Sequence, residues 1–384
     1  MSTPSQVATL TGLSAAQLPA ASELAARFPL TPNPHPTPDP EYDAVMAHLS
    51  FGVAFSDHMV RATWTREQGW HGHRTVAFGP LTLSPAAAVL HYGQEIFEGL
   101  KAYRHDDGSV WTFRPGFNAA RFNASARRLA LPELPEEDFV ASLAALVAVD
   151  QRWVPGVEGS SLYLRPFMIA TEAFLGVRSA HELEYLLISS PVGPYFVNGF
   201  QPVSIWVAQD FHRVGPGGMG AAKTGGNYAA SLLPQQEAYD KGFEQVCFLD
   251  AATNTHLEEL GGMNVFAVDA DGTVRTPALT GTILEGGTRA AILQLLRDGG
   301  RTVREETIEL APLLEQIGSG QVAEMFACGT AAVITPIGRL AGEGFDVTVA
   351  DGAPGPVTTE LYTALTDIQY GRREDPHEWM YRLV

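Results

Sequence analysis

The chain has 384 residues, enough for two domains, because single hydrophobic cores stop growing at about 250–300 residues. Hydrophobic residues make up 45% and charged residues 18%, which is typical of a globular protein and leaves little room for a long disordered tail. The formal net charge of -18 argues against a nucleic-acid partner, since phosphate contacts need clustered lysine and arginine.

The cysteines and the N-terminal sequence indicate a cytoplasmic protein with no membrane partner. Only Cys247 and Cys328 occur, each in an apolar strand-like run, and we expect both to be buried thiols in a reducing compartment. No stretch approaches the roughly 20 apolar residues that a membrane-spanning helix needs. The first residues have no basic start followed by a strong apolar block, so a secretion signal is not expected there.

Residues 1–50 are expected to form a loosely ordered arm and a Pro-rich connector. The segment RFPLTPNPHPTPDPEY is too rich in proline for a helix and indicates an extended connector. We expect the folded part to start near Phe51. Residues 51–190 then mix strands (RATWT, TVAFGPLTL, SVWTFRP) with helices (AARFNASARRLAL, EEDFVASLAALVAVDQRWV), which predicts a small N-terminal α/β domain.

Residues 191–203, PVGPYFVNGFQPV, are dense in proline and glycine and predict an interdomain linker. Residues 204–384 predict a larger C-terminal α/β domain. Its strands are SIWVA, QVCFLD, MNVFAV, EMFACG, AVITPI and FDVTVA, and they alternate with helices that open at Asn227, Thr288 and Pro312. A final helix is predicted from Pro356 to Tyr370.

Lysine is scarce in this chain. Of 25 basic residues three are lysines, which leaves 22 arginines. Lys101 lies in EIFEGLKAYR, where helical spacing from an acidic neighbour favours a solvated surface charge. Lys241 precedes a glycine at a predicted helix C-terminus, a favourable place for a cation. Lys223 differs, because the small residues of GPGGMGAAKTGGNYAASLL let a planar group approach its amine. From spacing alone, a surface-loop lysine and a generic anion site both stay open.

Several segments resemble those of the branched-chain amino-acid aminotransferases, in the family's order. AAKTGGNYAASL resembles the cofactor-lysine segment of that family. The resemblance runs from about Phe51 to the C-terminus and implies the α/β fold type IV of pyridoxal-phosphate enzymes, with the cofactor between a smaller N-terminal and a larger C-terminal domain. The other matching segments are LHYGQEIFEGLKAYR, SLYLRPFMIATEAFLGV, SPVGPYF, EELGGMNVFAV, EGGTRAAIL, EMFACGTAAVITP and LTDIQYGR.

The resemblance implies a role for each residue that would bind pyridoxal phosphate. Lys223 corresponds to the lysine that holds the cofactor covalently and then shuttles the proton of the substrate Cα. Glu259 matches the carboxylate that keeps the pyridine nitrogen protonated, and Tyr228 matches the tyrosine that hydrogen-bonds the phenolic oxygen. The residues implied to hold the phosphate are Arg121, Gly287, Thr288 and Thr330.

The resemblance also implies a substrate pocket, rich in aromatic residues that suit a branched aliphatic side chain. Without it, each of these residues would be read as core. Arg165 is implied to accommodate the second carboxylate of glutamate, so that one pocket serves apolar and acidic substrates. The positions of Tyr92 and Val177 imply a homodimer, because the family supplies them from the neighbouring subunit. The pocket comprises Phe51, Tyr92, Phe97, Tyr163, Arg165, Val177, Tyr195, Gly262 and Ala331.

Two departures from the family pattern concern regulation and specificity. Ala332 and Thr335 stand where mammalian members carry a redox pair of cysteines, so thiol regulation of that kind is not expected. Gly262 stands where those members have a threonine, which removes a hydroxyl near the substrate carboxylate.

The expected activity is transfer of the amino group between leucine, isoleucine or valine and 2-oxoglutarate in two half-reactions. Two alternatives stay open. One is another class IV enzyme, such as a D-amino acid aminotransferase or an aminodeoxychorismate lyase. The other is a catalytically silent protein that binds pyridoxal phosphate on the same fold.

Overall fold

The computed structural model describes residues 9–194 and 200–384. These residues form two compact units. The first unit comprises residues 10–194, Ala222–Gly225 and Asp367–Val384, and the second comprises residues 200–221 and Gly226–Thr366 together with Thr9. No helix in the described part of the chain is long and apolar enough to cross a membrane.

Helices and strands are mixed along the chain. The α-helices of the described residues are α1 (Ala21–Ala25), α2 (Asp39–Ala47), α3 (Ala88–Tyr92), α4 (Pro115–Arg128), α5 (Glu136–Val149), α6 (Gly225–Ala229), α7 (Leu232–Asp240), α8 (Gly287–Asp298), α9 (Leu310–Gly318) and α10 (Pro356–Gln369). The strands are β1 (His58–Thr65), β2 (Gly69–Ala77), β3 (Glu95–Phe97), β4 (Leu100–Arg104), β5 (Val110–Phe113), β6 (Ser161–Ala170), β7 (Glu182–Val192), β8 (Val203–Ala208), β9 (Gln245–Leu249), β10 (Leu257–Leu260), β11 (Asn264–Asp269), β12 (Val274–Pro277), β13 (Val303–Glu306), β14 (Val322–Gly329), β15 (Val333–Gly342), β16 (Phe345–Thr348) and β17 (Met380–Arg382).

The first unit is built on an eight-stranded sheet in the order β17-β5-β4-β6-β7-β1-β2, with β3 paired to β6. Most positions of β6 and β7 are buried, as their long apolar runs predict. Helix α5 supplies Phe139 to the core, where the ring lies among those of Phe122 and Tyr185. Three acidic residues in the first turn of α5 favour its formation, because they face the positive end of the helix dipole.

The N-terminal segment is part of this core, so the expectation of a loosely ordered arm is wrong for the described residues. Leu24 and Phe28 are each 2% exposed and pack in the core of the first unit. Helix α2 begins inside the stretch judged too rich in proline for a helix. Proline is tolerated there because it falls in the first helical turn, where its missing N–H would have no helical partner.

The second unit contains a nine-stranded sheet in the order β10-β9-β8-β15-β14-β11-β12-β13, with β16 paired to β15. The apolar runs predicted as strands form β8, β9, β11, β14, β15 and β16, which confirms them. The rings of Phe266 and Phe326 stack at 4.8 Å across the β11–β14 pair. The predicted helix starts are confirmed to within two residues in α6, α8 and α9.

Both cysteines are buried and free, as predicted. Cys247 lies on β9 and Cys328 on β14, each about 1% exposed. Burial raises the pKa of the Cys328 thiol to about 12 and that of Cys247 further. Neither thiol is therefore ionised near neutral pH, which fits a role in packing rather than in chemistry.

Lys101 is buried, so the solvated surface charge expected for it is wrong. The segment EIFEGLKAYR forms β3 and β4 rather than a helix, and β4 lies between β5 and β6 in the sheet. The Lys101 side chain is consequently only 7% exposed. Burial lowers the pKa of Lys101 to about 8, because desolvation disfavours the charged ammonium.

Replacing this buried ammonium is expected to stabilise the protein at neutral pH. The pKa of Lys101 is about 8 in the folded state, below the value of about 10.4 in an unfolded chain. The loss of stability caused by burying the ammonium is therefore fully present below pH 8, and it decreases as the pH rises towards 10.4. We expect Lys101→Met to raise the free energy of unfolding at pH 7 by about 3 kcal/mol in urea titrations. The gain should shrink above pH 8.

The exposed Lys241 provides the control. Lys241→Met is expected to change the free energy of unfolding by less than about 0.5 kcal/mol, both at pH 7 and above pH 8. A Lys101→Met variant that is no more stable than the wild type at pH 7 would show that the buried ammonium is fully compensated.

Candidate active site

The backbone of Lys223 is fixed within the first unit at both its amide and its carbonyl. The amide N–H donates to Ser125 Oγ at 2.9 Å. The carbonyl oxygen accepts a hydrogen bond from the backbone N–H of Phe97 at 3.0 Å. The ammonium nitrogen lies 4.7 Å from the centroid of the Phe97 ring. A partly exposed amine is thus presented from a fixed main chain beside an aromatic face.

Glu95 holds the two residues that follow Lys223. Its carboxylate accepts hydrogen bonds from the Thr224 hydroxyl at 3.1 Å and from the backbone N–H of Gly225. A Cβ at position 225 would lie 2.5 Å from Glu95 Oε1, so a larger residue there would displace the Glu95 carboxylate. Burial raises the pKa of Glu95, and these two hydrogen bonds oppose the rise.

Arg121 lies on α4 one turn before Ser125, so its side chain is on the helix face that binds the backbone of Lys223. Its guanidinium is 4% exposed and pairs with Glu98, which is fully buried. Arg121 Nε lies 2.7 Å from Glu98 Oε1, and Nη2 lies 2.8 Å from Oε2. The first unit therefore brings together two residues that the sequence assigned to the cofactor, Lys223 and Arg121.

Four predicted pocket residues of the first unit form one cluster. The rings of Phe51 and Tyr163 lie 5.0 Å apart. Arg165 Nη2 donates to the Tyr163 hydroxyl at 3.0 Å, and its Cζ lies 4.8 Å from the centroid of the Phe97 ring. A side chain at Gly99 would collide with the Tyr163 hydroxyl, so glycine is required there. The cluster offers both aromatic surface and a cation.

Three further pocket residues do not join this cluster or are not described. Tyr92 is 41% and Val177 is 88% exposed. The Tyr92 hydroxyl donates to the backbone carbonyl of Leu175, which keeps Tyr92 and Leu175 together in the first unit. Tyr195 lies outside the described residues.

Glu259 lies on β10 in the second unit and is 4% exposed. Its Oε1 lies 2.6 Å from Nη2 of Arg213 and accepts the backbone N–H of Leu284 at 2.9 Å. Arg213 also donates to the carbonyls of Gly220 at 2.8 Å and Thr282 at 2.7 Å. The carboxylate is thus buried, oriented and compensated by one positive charge.

Asn264 links Glu259 to the start of α8. Its Nδ2 donates to the carbonyl of Leu284 at 3.0 Å, and the backbone N–H of Leu284 donates to Glu259. A side chain at Gly286, just before α8, would collide with the Asn264 amide oxygen. The first N–H groups of a helix point outward and favour an anion. The predicted phosphate residues at this helix start are Gly287 and Thr288.

The remaining predicted residues of the second unit lie around the β10–β11 connection. A Cβ at Gly262 would lie 3.6 Å from Tyr228 Cε1, and one at Gly329 would lie 3.4 Å from the Gly262 carbonyl oxygen. Thr330 and Ala331 follow Gly329 in the turn between β14 and β15, where both are partly exposed. Tyr228, Gly262 and this turn therefore form one group.

Sequence reasoning missed the residues that hold the predicted ones in position. Glu95 and Glu98 had a usable signal, since two acidic residues in an apolar strand segment need buried partners. Ser125 and Arg213 had none. One is an ordinary helix serine, and the other is one of 22 arginines.

The comparisons with known proteins identify the family. Residues 95–340 match the model of the amino-transferase class IV family. The branched-chain-amino-acid aminotransferase of Mycolicibacterium smegmatis is 51% identical over 360 residues, covering 93% of this chain and 98% of the relative. A probable branched-chain-amino-acid aminotransferase of Streptomyces coelicolor is 54% identical over 356 residues, covering 92% and 98%.

Solved structures show the same fold. The branched-chain amino acid aminotransferase of Escherichia coli superposes with a TM-score of 0.71 at 27% identity, covering 84% of this chain and 99% of the other. The T.th. branched-chain amino acid aminotransferase in complex with N-(5'-phosphopyridoxyl)-L-glutamate gives a TM-score of 0.69 at 25% identity, covering 84% and 98%.

The fold and the family match define a class IV aminotransferase, an α/β enzyme of fold type IV that uses pyridoxal phosphate. Within that class, the chain is similar to these two relatives over more than nine-tenths of its length. It therefore belongs to the branched-chain-amino-acid aminotransferase family. The fold and the family expected from the sequence are both confirmed. The alternative class IV activities and the catalytically silent protein are not favoured by these relatives.

The buried pair of Arg213 and Glu259 is expected to contribute strongly to stability. Removing one partner of a buried ion pair leaves an uncompensated charge and costs about 3–5 kcal/mol. We expect Arg213→Gln to lower the free energy of unfolding by about this amount in urea titrations.

An exposed pair provides the matched control. Arg339 and Asp346 lie 2.6 Å apart at the surface, and Arg339→Gln should cost about 1 kcal/mol or less. Equal losses in the two variants would contradict a special role for the buried pair.

Proposed function

We propose that the chain transfers the amino group between L-leucine, L-isoleucine or L-valine and 2-oxoglutarate by a ping-pong cycle. The observation that carries the proposal is the fixed backbone of Lys223 on the helix face that bears Arg121. The activity for which the relatives from Mycolicibacterium smegmatis and Streptomyces coelicolor are named supports the substrate class.

The donor set of this chain fits pyridoxal phosphate. The cofactor has an aldehyde, a phosphate and a pyridine nitrogen, and it supplies a ring that accepts the electrons left when the substrate Cα loses its proton. Lys223 offers an amine for the aldehyde. Arg121 and the N-terminus of α8 offer donors for the phosphate, with Thr330 beside Gly329, and the buried carboxylate of Glu259 offers a partner for a protonated ring nitrogen.

We assign the proton transfers to Lys223. Lys223 would hold the aldehyde of the cofactor, and its amine, when free, would take the proton from the substrate Cα and deliver one to the former aldehyde carbon. Tyr228 is assigned to the phenolic oxygen of the cofactor. The hydrogen bonds on the Lys223 backbone limit its motion, so the amine swings only about its own side-chain bonds.

For substrate recognition we assign the aromatic side chains to the branched aliphatic group and Arg165 to the second carboxylate of 2-oxoglutarate. Arg165 Nε is buried and has no hydrogen-bond partner among the described residues. A buried donor without a partner is costly, and a substrate carboxylate would satisfy it. The other residues assigned to this pocket are Phe51, Phe97, Tyr163, Tyr195, Gly262 and Ala331.

We further propose a homodimer in which Tyr92 and Val177 contribute to the neighbouring subunit's site. Leu90, Tyr92, Leu175 and Val177 are between 41% and 88% exposed. They lie in α3 and in a loop that is hydrogen-bonded to the start of α3 through the Ala86 carbonyl. An exposed apolar patch of this kind is typical of a protein interface. The cytoplasmic location inferred from the sequence stays a prediction.

A spectral titration of the purified holoenzyme tests cofactor, half-reaction and substrate class together. L-leucine should convert the aldehyde form of the cofactor to the amine form, with loss of the long-wavelength absorbance band. D-alanine should leave that band unchanged. A clear preference for D-alanine, or a yellow protein that no amino donor converts, would contradict the proposal.

Lys223→Ala tests the assigned lysine, and Lys241→Ala is its control. The first variant should lose the lysine-linked band and about a thousandfold or more in turnover, the range expected for loss of a positioned acid–base group. The second should keep both.

A further inference from the structure

Glu98 is a fully buried carboxylate that the proposed mechanism does not use. It lies between β3 and β4, and the described residues donate four hydrogen bonds to it. Arg121 donates through Nε at 2.7 Å and Nη2 at 2.8 Å, Asn118 Nδ2 donates at 2.7 Å, and the backbone N–H of Gly99 donates at 3.2 Å. Such complete pairing is what a buried charge requires.

The pair fixes the plane of the Arg121 guanidinium. Two parallel hydrogen bonds to one carboxylate leave a planar group no rotation about its last side-chain bonds. Asn118 and Arg121 are three residues apart on α4, so they reach Glu98 from the same helix face. The Phe117 ring centroid lies 5.5 Å from the guanidinium carbon.

The same two hydrogen bonds determine which edge of the Arg121 guanidinium points away from Glu98. Glu98 uses the side-on edge, formed by Nε and one N–H of Nη2. A guanidinium has five N–H donors, so the end-on edge, formed by Nη1 and the second N–H of Nη2, points away from Glu98. Two parallel N–H donors on one edge of a guanidinium are the arrangement that binds two oxygens of a phosphate.

We propose that Glu98 is a positioning residue that sets the preference of the enzyme for the phosphorylated cofactor through Arg121. The inference rests on the proposed assignment of Arg121 to the cofactor phosphate. A positioning role and a purely electrostatic role of Glu98 predict opposite effects of its removal on phosphate binding. If Glu98 acted only through its negative charge, which offsets the guanidinium, its removal would strengthen phosphate binding. If it positions Arg121, its removal weakens that binding.

The test compares pyridoxal phosphate with pyridoxal, which lacks the phosphate, on the full-length chain freed of its cofactor. The measured quantity is the ratio of the two dissociation constants, obtained from fluorescence quenching, in a double-mutant cycle. Glu98→Gln keeps the side-chain shape but replaces one acceptor with a donor. We expect it to lower the preference for pyridoxal phosphate about tenfold or more.

Arg121→Gln should lower the preference at least as far, and the double variant should equal Arg121→Gln alone. Glu184→Gln is the matched control, since it removes the carboxylate of another ion pair in the first unit, with Arg61, and should leave the ratio unchanged. If Glu98→Gln does not fold, Glu98→Asp retracts the carboxylate while keeping its charge, and the same loss of preference is expected.

The outcomes separate the inference from the proposal beneath it. An unchanged ratio in Arg121→Gln would remove Arg121 from the phosphate site and overturn both. A loss in Arg121→Gln with an unchanged or increased preference in Glu98→Gln, or in Glu98→Asp where that variant replaces it, would overturn the role of Glu98 and leave the phosphate site intact. A further loss in the double variant would mean that Glu98 acts independently of Arg121, which also contradicts positioning.

Discussion

The two hydrogen bonds on the backbone of Lys223 are the constraint on which the proposed active site depends. A lysine side chain has four rotatable bonds, so only a fixed main chain can limit where its amine reaches. Ser125 and Phe97 supply that fixation, and Ser125 shares a helix face with Arg121. The segment Ala222–Gly225 consequently groups with the first unit, whereas its flanking residues group with the second.

Two of the charged residues assigned to the cofactor lie in buried ion pairs. Arg121 has Glu98 as its partner, and Glu259 has Arg213. An isolated charge at these depths would cost several kcal/mol, and a paired one is both tolerated and oriented. A chain with a net charge of -18 can therefore build local sites of defined charge from a few compensated groups.

The sequence predicted well what local pattern determines. The apolar strands of the second unit, a helix opening within one residue of the predicted Thr288 and the burial of Cys328 all follow from periodicity and composition. The family resemblance predicted the fold and the cofactor, because its motifs extend over most of the chain. The errors came from long-range packing. Lys101 is buried because β4 pairs on both sides, and Phe28 is buried because its segment packs in the core of the first unit.

The residues that hold the site together were beyond sequence reasoning for the same reason. Whether Arg213 pairs with Glu259 depends on contacts between segments far apart along the chain, and no spacing rule brings them together. Ser125 is distinguished from other helix serines only by the backbone amide that it accepts. Pattern identifies groups capable of chemistry, and packing decides which of them are fixed.

The covalent site of the cofactor is the most direct measurement of the central claim. Borohydride reduction of the holoenzyme fixes the cofactor on the amine that holds it, and peptide mass spectrometry then identifies the residue. With three lysines in the chain, Lys101, Lys223 and Lys241, the result has few possible answers. The label is expected on Lys223 alone. A label on Lys101 or Lys241, or none on any lysine, would contradict the assignment.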